Sequence, residues 1–340
     1  MMFDPQKTEL DADTAQKVQK ATASDIEKFL EPGKTPNNVV GMGVGVKWSN
    51  GEPSGKPALL ALVSQKVDKE ELTSADMIPK KIGEMPTDVL AIGEPFAGQA
   101  EPVEVDIQLL AKKARPASGG YSVGHKAITA GTIGTCVYDI MGTPGNPVGM
   151  PQHYYILSNN HVLANSNNST PGDAILQPGP FDGGSNPADR IAALSRFIPI
   201  TFDPPVPRAL HRNLVDCALA EGEFHDLKRE IHWVGHLRGW RPRAQVKVGT
   251  LLQKTGRTTN YTTGRITAVN ATVDVNYGGG KIARFRDQIL TTPMSAGGDS
   301  GSIVADRENF AVGLLFAGST QVTILNQIQH VRSLLRIEIV

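Results

Sequence analysis

The stretch Ser295-Ala296-Gly297-Gly298-Asp299-Ser300-Gly301-Ser302 places one serine between glycines. Apolar runs flank it on both sides, so we predict a tight loop that joins two strands. The glycines let the backbone turn without a Cβ clash and bring amide N–H groups close to the Ser300 hydroxyl. Acyl transfer needs a nucleophilic oxygen beside donors that face a developing oxyanion. Gly-Ser turns are common, however, and the meaning of this loop depends on the segments upstream.

Composition narrows the classes of protein. The 340 residues suit two domains, or one large domain with an appendage. The 34 basic and 34 acidic residues balance, which argues against a nucleic-acid partner or a polybasic membrane patch. The N-terminal residues 1–20 lack an apolar run that could span a bilayer or serve as a secretion signal, and only two cysteines occur, Cys136 and Cys217. We therefore expect buried free thiols and a cytoplasmic protein.

The pattern along the chain predicts four segments. Residues 1–36 hold an amphipathic helix that ends at Glu31-Pro32-Gly33, and residues 37–110 are predicted to form a small α+β module. The run Gly41-Met42-Gly43-Val44-Gly45 is followed by a strand and a turn rather than a helix, which favours close backbone packing over a dinucleotide site. Residues 111–124 are predicted to be a linker. Short strands separated by frequent turns fill residues 125–340, ending in a helix over 324–335, and predict an all-β sandwich or barrel.

Two further segments in the β region carry chemistry. His161 follows the apolar strand Tyr155–Ser158, and Asp216 lies within Leu214-Val215-Asp216-Cys217-Ala218-Leu219. A lone histidine after a strand is usually structural, and an aspartate at such a place is usually a cap or turn residue. A carboxylate buried in an apolar strand needs a partner to offset its desolvation, however, and a histidine that donates a proton toward it is such a partner.

The order His161, Asp216, Ser300, with Gly-Asp-Ser-Gly around the serine, resembles that of trypsin-like (chymotrypsin-fold) serine proteases; other hydrolases order the same residue types differently. The resemblance covers about residues 120–340. It implies two antiparallel six-stranded β-barrels, at about 125–235 and 245–340, preceded by the small α+β module. It also implies that Ser300 is the nucleophile, His161 the general base and acid, and Asp216 the group that orients the imidazole. The N–H groups of Gly298 and Ser300 then form the oxyanion hole.

The same resemblance implies other roles. Met294, six residues before the nucleophile, takes the position of the substrate-pocket floor, while Phe316 and Gly318 belong to the strand that pairs with substrate backbone and forms a pocket wall. A neutral floor predicts preference for an apolar rather than a basic P1 residue; alternatively, Met294 is simply core. Bacterial members neutralise the aspartate before the nucleophile with an internal arginine, which predicts an Arg257–Asp299 ion pair without zymogen cleavage.

The segments around Val39–Val46, Gly131–Cys136 and Leu157–Ala164 resemble bacterial relatives of the plant narrow-leaf trypsin-like proteins. We therefore predict a serine endopeptidase that acts on protein or peptide substrates and needs no metal or cofactor; a homo-oligomer is left open. Two other functions stay open: a protease-fold scaffold or binding protein with negligible turnover, and an esterase that uses the same nucleophile. The insertion from about Asn165 to Pro187 is expected to shape or cover the cleft.

Overall fold

One helix lies near each end of the chain, and a short third helix contains the predicted catalytic histidine, His161. The computed structural model describes residues 5–97, 109–140 and 151–339, apart from 32, 37, 50, 51 and 152, so the predicted module's residues 98–108 lie outside the described part. The α-helices are α1 (Ala12–Phe29), α2 (Asn160–Leu163) and α3 (Ile328–Leu335). Helix α1 begins where the Asp11 carboxylate accepts a hydrogen bond from the Thr14 N–H at 2.8 Å, a standard N-cap. Among the described residues, no helix is both long and apolar enough to cross a membrane.

Strands form the largest share of the regular secondary structure in the described residues. The N-terminal strands are β1 (Val39–Ser49), β2 (Glu52–Val63), β3 (Lys81–Ile82) and β4 (Met85–Ala91). The middle of the chain contains β5 (Ala117–Gly119), β6 (Ser122–His125), β7 (Gly131–Thr132), β8 (Thr135–Asp139), β9 (Tyr154–Ser158), β10 (Ala174–Leu176), β11 (Arg190–Phe197), β12 (Ala218–Gly222) and β13 (Leu227–Ile231). The last third contains β14 (Gly239–Trp240), β15 (Leu251–Gly256), β16 (Asn260–Asn276), β17 (Ile282–Thr291), β18 (Ile303–Asp306), β19 (Phe310–Gly318), β20 (Thr323–Gln327) and β21 (Ile337–Glu338). Short 3-10 turns lie at Pro5–Thr8, Lys69–Glu71, Leu109–Ala111, Pro180–Asp182, Arg208–Leu210, Phe224–Asp226 and Arg243–Gln245.

The predicted mainly β fold is confirmed, with one β unit in each half of the region beyond residue 111. In the C-terminal unit the strand order β15-β18-β19-β20-β17-β16 closes on itself, because β15 also pairs with β16, and this makes a six-stranded barrel. The N-terminal unit is an eight-stranded sheet in the order β21-β8-β9-β12-β11-β10-β6-β7. An apolar cluster containing Leu157, Cys217, Ile303 and Leu314 packs the two units together.

The N-terminal strands extend the sheet of the C-terminal barrel, since β1 pairs antiparallel with β16. The glycine-rich run lies in β1, and a Cβ on Gly41 would stand 2.2 Å from the Thr272 carbonyl oxygen. A Cβ on Gly45 would stand 2.5 Å from a Leu60 methyl group. These distances fall below any normal contact, so close backbone packing is the correct interpretation of these glycines. Helix α1 covers the same barrel, where Asn270 donates to the Ala15 carbonyl oxygen at 3.3 Å.

Two local predictions differ from the structure. The helix expected over 324–335 begins only at Ile328, because residues 323–327 form β20 and complete the barrel. Residues 111–124, expected to be a linker, include β5, which pairs parallel with β13, and the start of β6, which pairs with β10 of the N-terminal β unit. In each case pairing with a distant strand overrides the local pattern.

Candidate active site

His161 and Asp216 meet across the chain at the edge of the N-terminal β unit. His161 lies in the short helix α2, directly after β9, and Asp216 lies in the extended segment just before β12, not inside the strand as expected. Because β9 and β12 pair antiparallel, with Ser158 opposite Ala218, the two side chains are brought together. His161 Nδ1 lies 2.6 Å from Asp216 Oδ2, and the His161 backbone N–H donates to Oδ1 at 3.2 Å.

The Asp216 side chain has no exposed surface, so every one of its interactions matters. The Tyr277 hydroxyl donates to Oδ2 at 2.7 Å, and the Asp216 backbone is held by Asn326 at its N–H and by Asn159 at its carbonyl oxygen. Tyr277 and Asn326 belong to the C-terminal barrel. The carboxylate is therefore fixed by both β units.

Tyr277 is a site residue that the sequence analysis missed. Its ring meets the His161 ring edge-to-face, with centroids 6.0 Å apart, and it stands at the end of β16 before three glycines. Burial, together with the nearby Asp216 carboxylate, raises the pKa of the Tyr277 hydroxyl well above its usual value, so this group stays a hydrogen-bond donor. A tyrosine before a glycine turn is a weak sequence signal, because only the folded hairpin shows where its hydroxyl points.

The Ser300 loop packs against the histidine-bearing segment. The Ser300 carbonyl oxygen accepts from the Thr132 N–H at 2.7 Å. A Cβ on the neighbouring Gly131 would stand 2.5 Å from Val162, the residue after His161, and 3.0 Å from that same Ser300 oxygen. Val162 and the Ser300 carbonyl oxygen thus lie against the same glycine. Within the described chain, neither His161 Nε2 nor Ser300 Oγ has a hydrogen-bond partner, and catalytic contacts of this kind often tighten only when substrate binds.

The backbone of this loop has the shape that an oxyanion site needs. Gly298 has φ +93°, and a Cβ there would lie 2.5 Å from the Thr258 hydroxyl, so only glycine fits. Its carbonyl oxygen is turned away and accepts from the Thr132 hydroxyl at 2.8 Å. Among the described residues, the N–H groups of Gly298 and Ser300 donate to no protein acceptor. Two amides are therefore available to an incoming oxygen atom.

The predicted Arg257–Asp299 ion pair is wrong. Asp299 pairs instead with Lys254 Nζ at 2.9 Å, and neither side chain has exposed surface. Asp299 also accepts from the N–H groups of Thr258 and Thr259 and from the Thr259 hydroxyl. Burial lowers the pKa of Lys254, while the Asp299 carboxylate opposes that shift. The cation therefore lies three residues earlier in the chain than expected.

Strand geometry explains the difference. Leu252 and Lys254 point to the same face of β15, toward the barrel interior, whereas Arg257 lies beyond the end of the strand. Arg257 instead binds Asp182 of the N-terminal β unit through two guanidinium nitrogens, and its backbone N–H donates to Thr132. Arg257 therefore joins the two units beside the Ser300 loop. Leu252 and Lys254 are two residues apart and therefore share the inward face of β15. This spacing is the sequence signal that identifies Lys254 as the cation.

Met294, Phe316 and Gly318, the predicted pocket residues, do not line the cavity that opens on His161. Met294 is 4% exposed and packs in the core cluster beneath α1, while Phe316 has no exposed surface and packs in the cluster on the other face of the sheet. Gly318 lies at the edge of β19, beside the Ser295 hydroxyl. The alternative that Met294 is a core residue therefore accounts for its packing.

The cavity beside the histidine measures about 260 Å³. Its lining residues come from the strand ends and loops of both β units and from the N-terminal segment: Phe96, Ile128, Thr129, Ala130, His161, Val162, Asn165, Ser166, Tyr277, Gly278 and Gly279. Asn165 and Ser166 begin the insertion that was expected to shape the cleft.

Cys136 and Cys217 are buried free thiols, as expected, and burial raises the pKa of Cys136 to about 12. Within the described residues, no group of three or more His, Cys, Asp or Glu side chains is arranged to hold a metal ion.

Parts of this chain are similar to known proteins. No protein-family model matches the chain. Over 58 residues, 17% of this chain, it is 48% identical to glutamyl endopeptidase 2 of Streptomyces griseus, and the match spans 28% of that protein's length. One similar solved structure is Thermobifida fusca protease A, with 14% sequence identity and a TM-score of 0.44, and the match covers 65% of this chain and 96% of that one. Another is a glutamic acid specific serine protease that uses a histidine triad in substrate binding. Its sequence identity is 20% and its TM-score 0.44, and the match covers 65% of this chain and 99% of that one. The proteins that this chain resembles are bacterial chymotrypsin-fold serine proteases, as its motifs predicted.

Replacing Lys254 tests the buried pair under the serine loop. Lys254→Met leaves the Asp299 carboxylate buried without a cation, so we expect the free energy of unfolding to fall by about 3–5 kcal/mol. Urea denaturation measures this change. In double-mutant cycles with Asp299→Asn, Lys254→Met is expected to couple strongly and Arg257→Met to act additively. The reverse pattern would restore the Arg257 assignment.

Proposed function

We propose that this relative of bacterial chymotrypsin-fold serine proteases is a serine endopeptidase that cleaves peptide bonds through Ser300, His161 and Asp216. The supporting observation is the 2.6 Å contact between His161 Nδ1 and the fully buried Asp216 carboxylate, with Nε2 left without a partner among the described residues. This contact fixes the imidazole with Nδ1 as donor and Nε2 as acceptor, which is the form that a general base requires.

The chemistry follows from these positions. Ser300 Oγ attacks the scissile carbonyl carbon while its proton passes to His161 Nε2, and the carbonyl oxygen becomes an oxyanion held by the N–H groups of Gly298 and Ser300. His161 then gives the proton to the leaving amine, which leaves an acyl-enzyme. Water, deprotonated by the same imidazole, releases the acid and restores the serine. Asp216 stabilises the imidazolium that forms in each half of the cycle.

Labelling by a fluorophosphonate tests the nucleophile. Wild type should react covalently and Ser300→Ala should not, because the probe needs an activated hydroxyl and little substrate recognition. Loss of the serine in a triad enzyme lowers turnover by about a million-fold, so peptide hydrolysis should vanish with the label.

Folded wild type that shows no label would instead favour the protease-fold scaffold. Label with ester turnover but no peptide turnover would favour the esterase. Ser302→Ala, which changes a fully buried serine of the same loop, is the matched control for Ser300→Ala.

For specificity, we propose an apolar P1 residue. Met294 takes the floor position by resemblance but packs in the core. The residues that line the cavity on His161 include no acidic side chain that could bind a basic P1 residue. A second candidate is an acidic P1 residue, as the name of the Streptomyces relative suggests. The Ser295 hydroxyl, which shares a 2.6 Å hydrogen bond with the buried Thr323 hydroxyl beside the end of β19, favours it as a donor to a carboxylate.

Peptides that differ only at P1 separate these alternatives. We expect kcat/KM for P1 Leu or Met to exceed that for Lys by at least about 100-fold, because a cation without a buried partner carries a desolvation cost of several kcal/mol. A preference for Glu that Ser295→Ala abolishes would establish the acidic alternative, and a preference for Lys would contradict both.

Tyr277 acts as a positioning residue through Asp216. Tyr277→Phe removes one donor from the buried carboxylate, so we expect kcat/KM to fall by about five- to tenfold, the effect of one charge-assisted hydrogen bond. With less of its charge neutralised, Asp216 should favour the protonated imidazole, and the acidic limb of the kcat/KM profile should move to higher pH. A drop in activity without displacement of that limb would make the role of Tyr277 structural only.

A further inference from the structure

A short segment of the N-terminal region lies along the edge of β19. We call this segment, Pro95–Ala97, the strap. Phe96 and Gly318 pair antiparallel: the Phe96 N–H donates to the Gly318 carbonyl oxygen at 3.0 Å, and the Gly318 N–H donates back at 3.2 Å. On its other side the strap pairs with Asn276, with N–H···O distances of 2.9 and 3.0 Å. The strap is thus a three-residue strand between β19 and the end of β16.

The edge that the strap covers leads directly to the serine loop. Leu315, three residues before Gly318 in β19, exchanges backbone hydrogen bonds with Gly301 and Ser302. At about 3.3 Å per residue, Gly318 lies roughly 10 Å along the strand from that anchor. On its opposite edge Gly318 already pairs with Thr323 of β20. An extended peptide that reaches Ser300 along β19 can therefore add only where the strap now lies.

The strap also reaches the cavity that opens on His161. The Phe96 ring is 38% exposed and lines that cavity together with Tyr277 and Gly278. Ala97, by contrast, is 1% exposed and packs in the core cluster that contains Phe316. Ala97 anchors the strap in the core, and Phe96 places an aromatic ring beside the candidate catalytic histidine.

We propose that the strap occupies, in cis, the backbone-binding site for extended peptide substrates, so that this chain limits its own cleavage of long peptides. The inference rests on the proposed endopeptidase function. Peptides commonly bind proteins by adding a strand to an open sheet edge, with main-chain hydrogen bonds supplying affinity. The strap already makes those bonds to Gly318, and a substrate must displace it to make them. Small substrates that contact only Ser300 and its immediate pocket need no such exchange.

Phe96→Pro tests the proposal, because it removes the N–H that donates to Gly318. Phe96→Ala, which keeps that N–H and removes only the ring, is the matched control. Each variant is assayed with a peptide that extends at least four residues before the scissile bond and with a single-residue ester of the same P1 residue. For Phe96→Pro we expect kcat/KM to rise at least about fivefold for the peptide, the effect of one backbone hydrogen bond lost from the strap, and to stay within about twofold for the ester. Phe96→Ala should change the peptide-to-ester ratio less than Phe96→Pro does.

Adding the displaced strand back provides a second measurement. A synthetic peptide Ile-Gly-Glu-Pro-Phe-Ala, the sequence of residues 92–97, should inhibit Phe96→Pro competitively and wild type much more weakly. If Phe96→Pro does not fold, Ala97→Asp serves instead, since a charge in the core cluster expels the anchor. An unchanged peptide-to-ester ratio in a folded variant whose Ser300 still reacts with fluorophosphonate overturns the strap proposal alone. Absence of fluorophosphonate labelling in wild type and variants overturns the proposed function instead.

Discussion

The buried carboxylate of Asp216 is the constraint on which the site depends. A charge with no exposed surface is tolerated only when hydrogen bonds replace the lost water, and here the His161 imidazole, the His161 backbone N–H and the Tyr277 hydroxyl do so. Because these donors come from both β units, Asp216 orients the histidine and also fixes how the two units meet. The Asn326 side chain, from β20, adds a further link to the Asp216 backbone.

The serine loop is held by a second set of buried charges. Lys254 neutralises Asp299 beneath the loop, and Arg257 connects the same segment to Asp182 in the N-terminal β unit. The Asp299 N–H donates to the Ala296 carbonyl oxygen and the Asp299 carbonyl oxygen accepts from the Ser302 N–H, which completes the turn. The loop that carries the Gly298 and Ser300 amides is thus held by an ion pair inside the C-terminal barrel. Electrostatic preorganisation of this kind usually accelerates acyl transfer more than any other single effect does.

The N-terminal strands take part in the same architecture. β1 joins β16 so closely that Gly41 leaves no room for a side chain, and the chain after β4 then crosses to the edge of β19 as the strap. The residue that ends β16, Asn276, precedes Tyr277, so the strand that receives β1 also carries the hydroxyl bound to Asp216. The N-terminal region and the candidate catalytic site therefore share structural elements.

The sequence by itself determined the mainly β class through strand periodicity, and the close packing at Gly41 and Gly45 through glycine sterics. Residue order identified His161, Asp216 and Ser300 as candidates. All three signals can be read from the sequence without knowledge of distant contacts. It could not determine that Lys254 rather than Arg257 neutralises Asp299, since that depends on which face of β15 turns inward. Nor could it reveal the Tyr277 hydroxyl on Asp216 or the strap on β19: these contacts join residues 61 positions apart in one case and 222 apart (318 − 96) in the other. Only the closure of the barrel brings such distant strands within hydrogen-bonding distance.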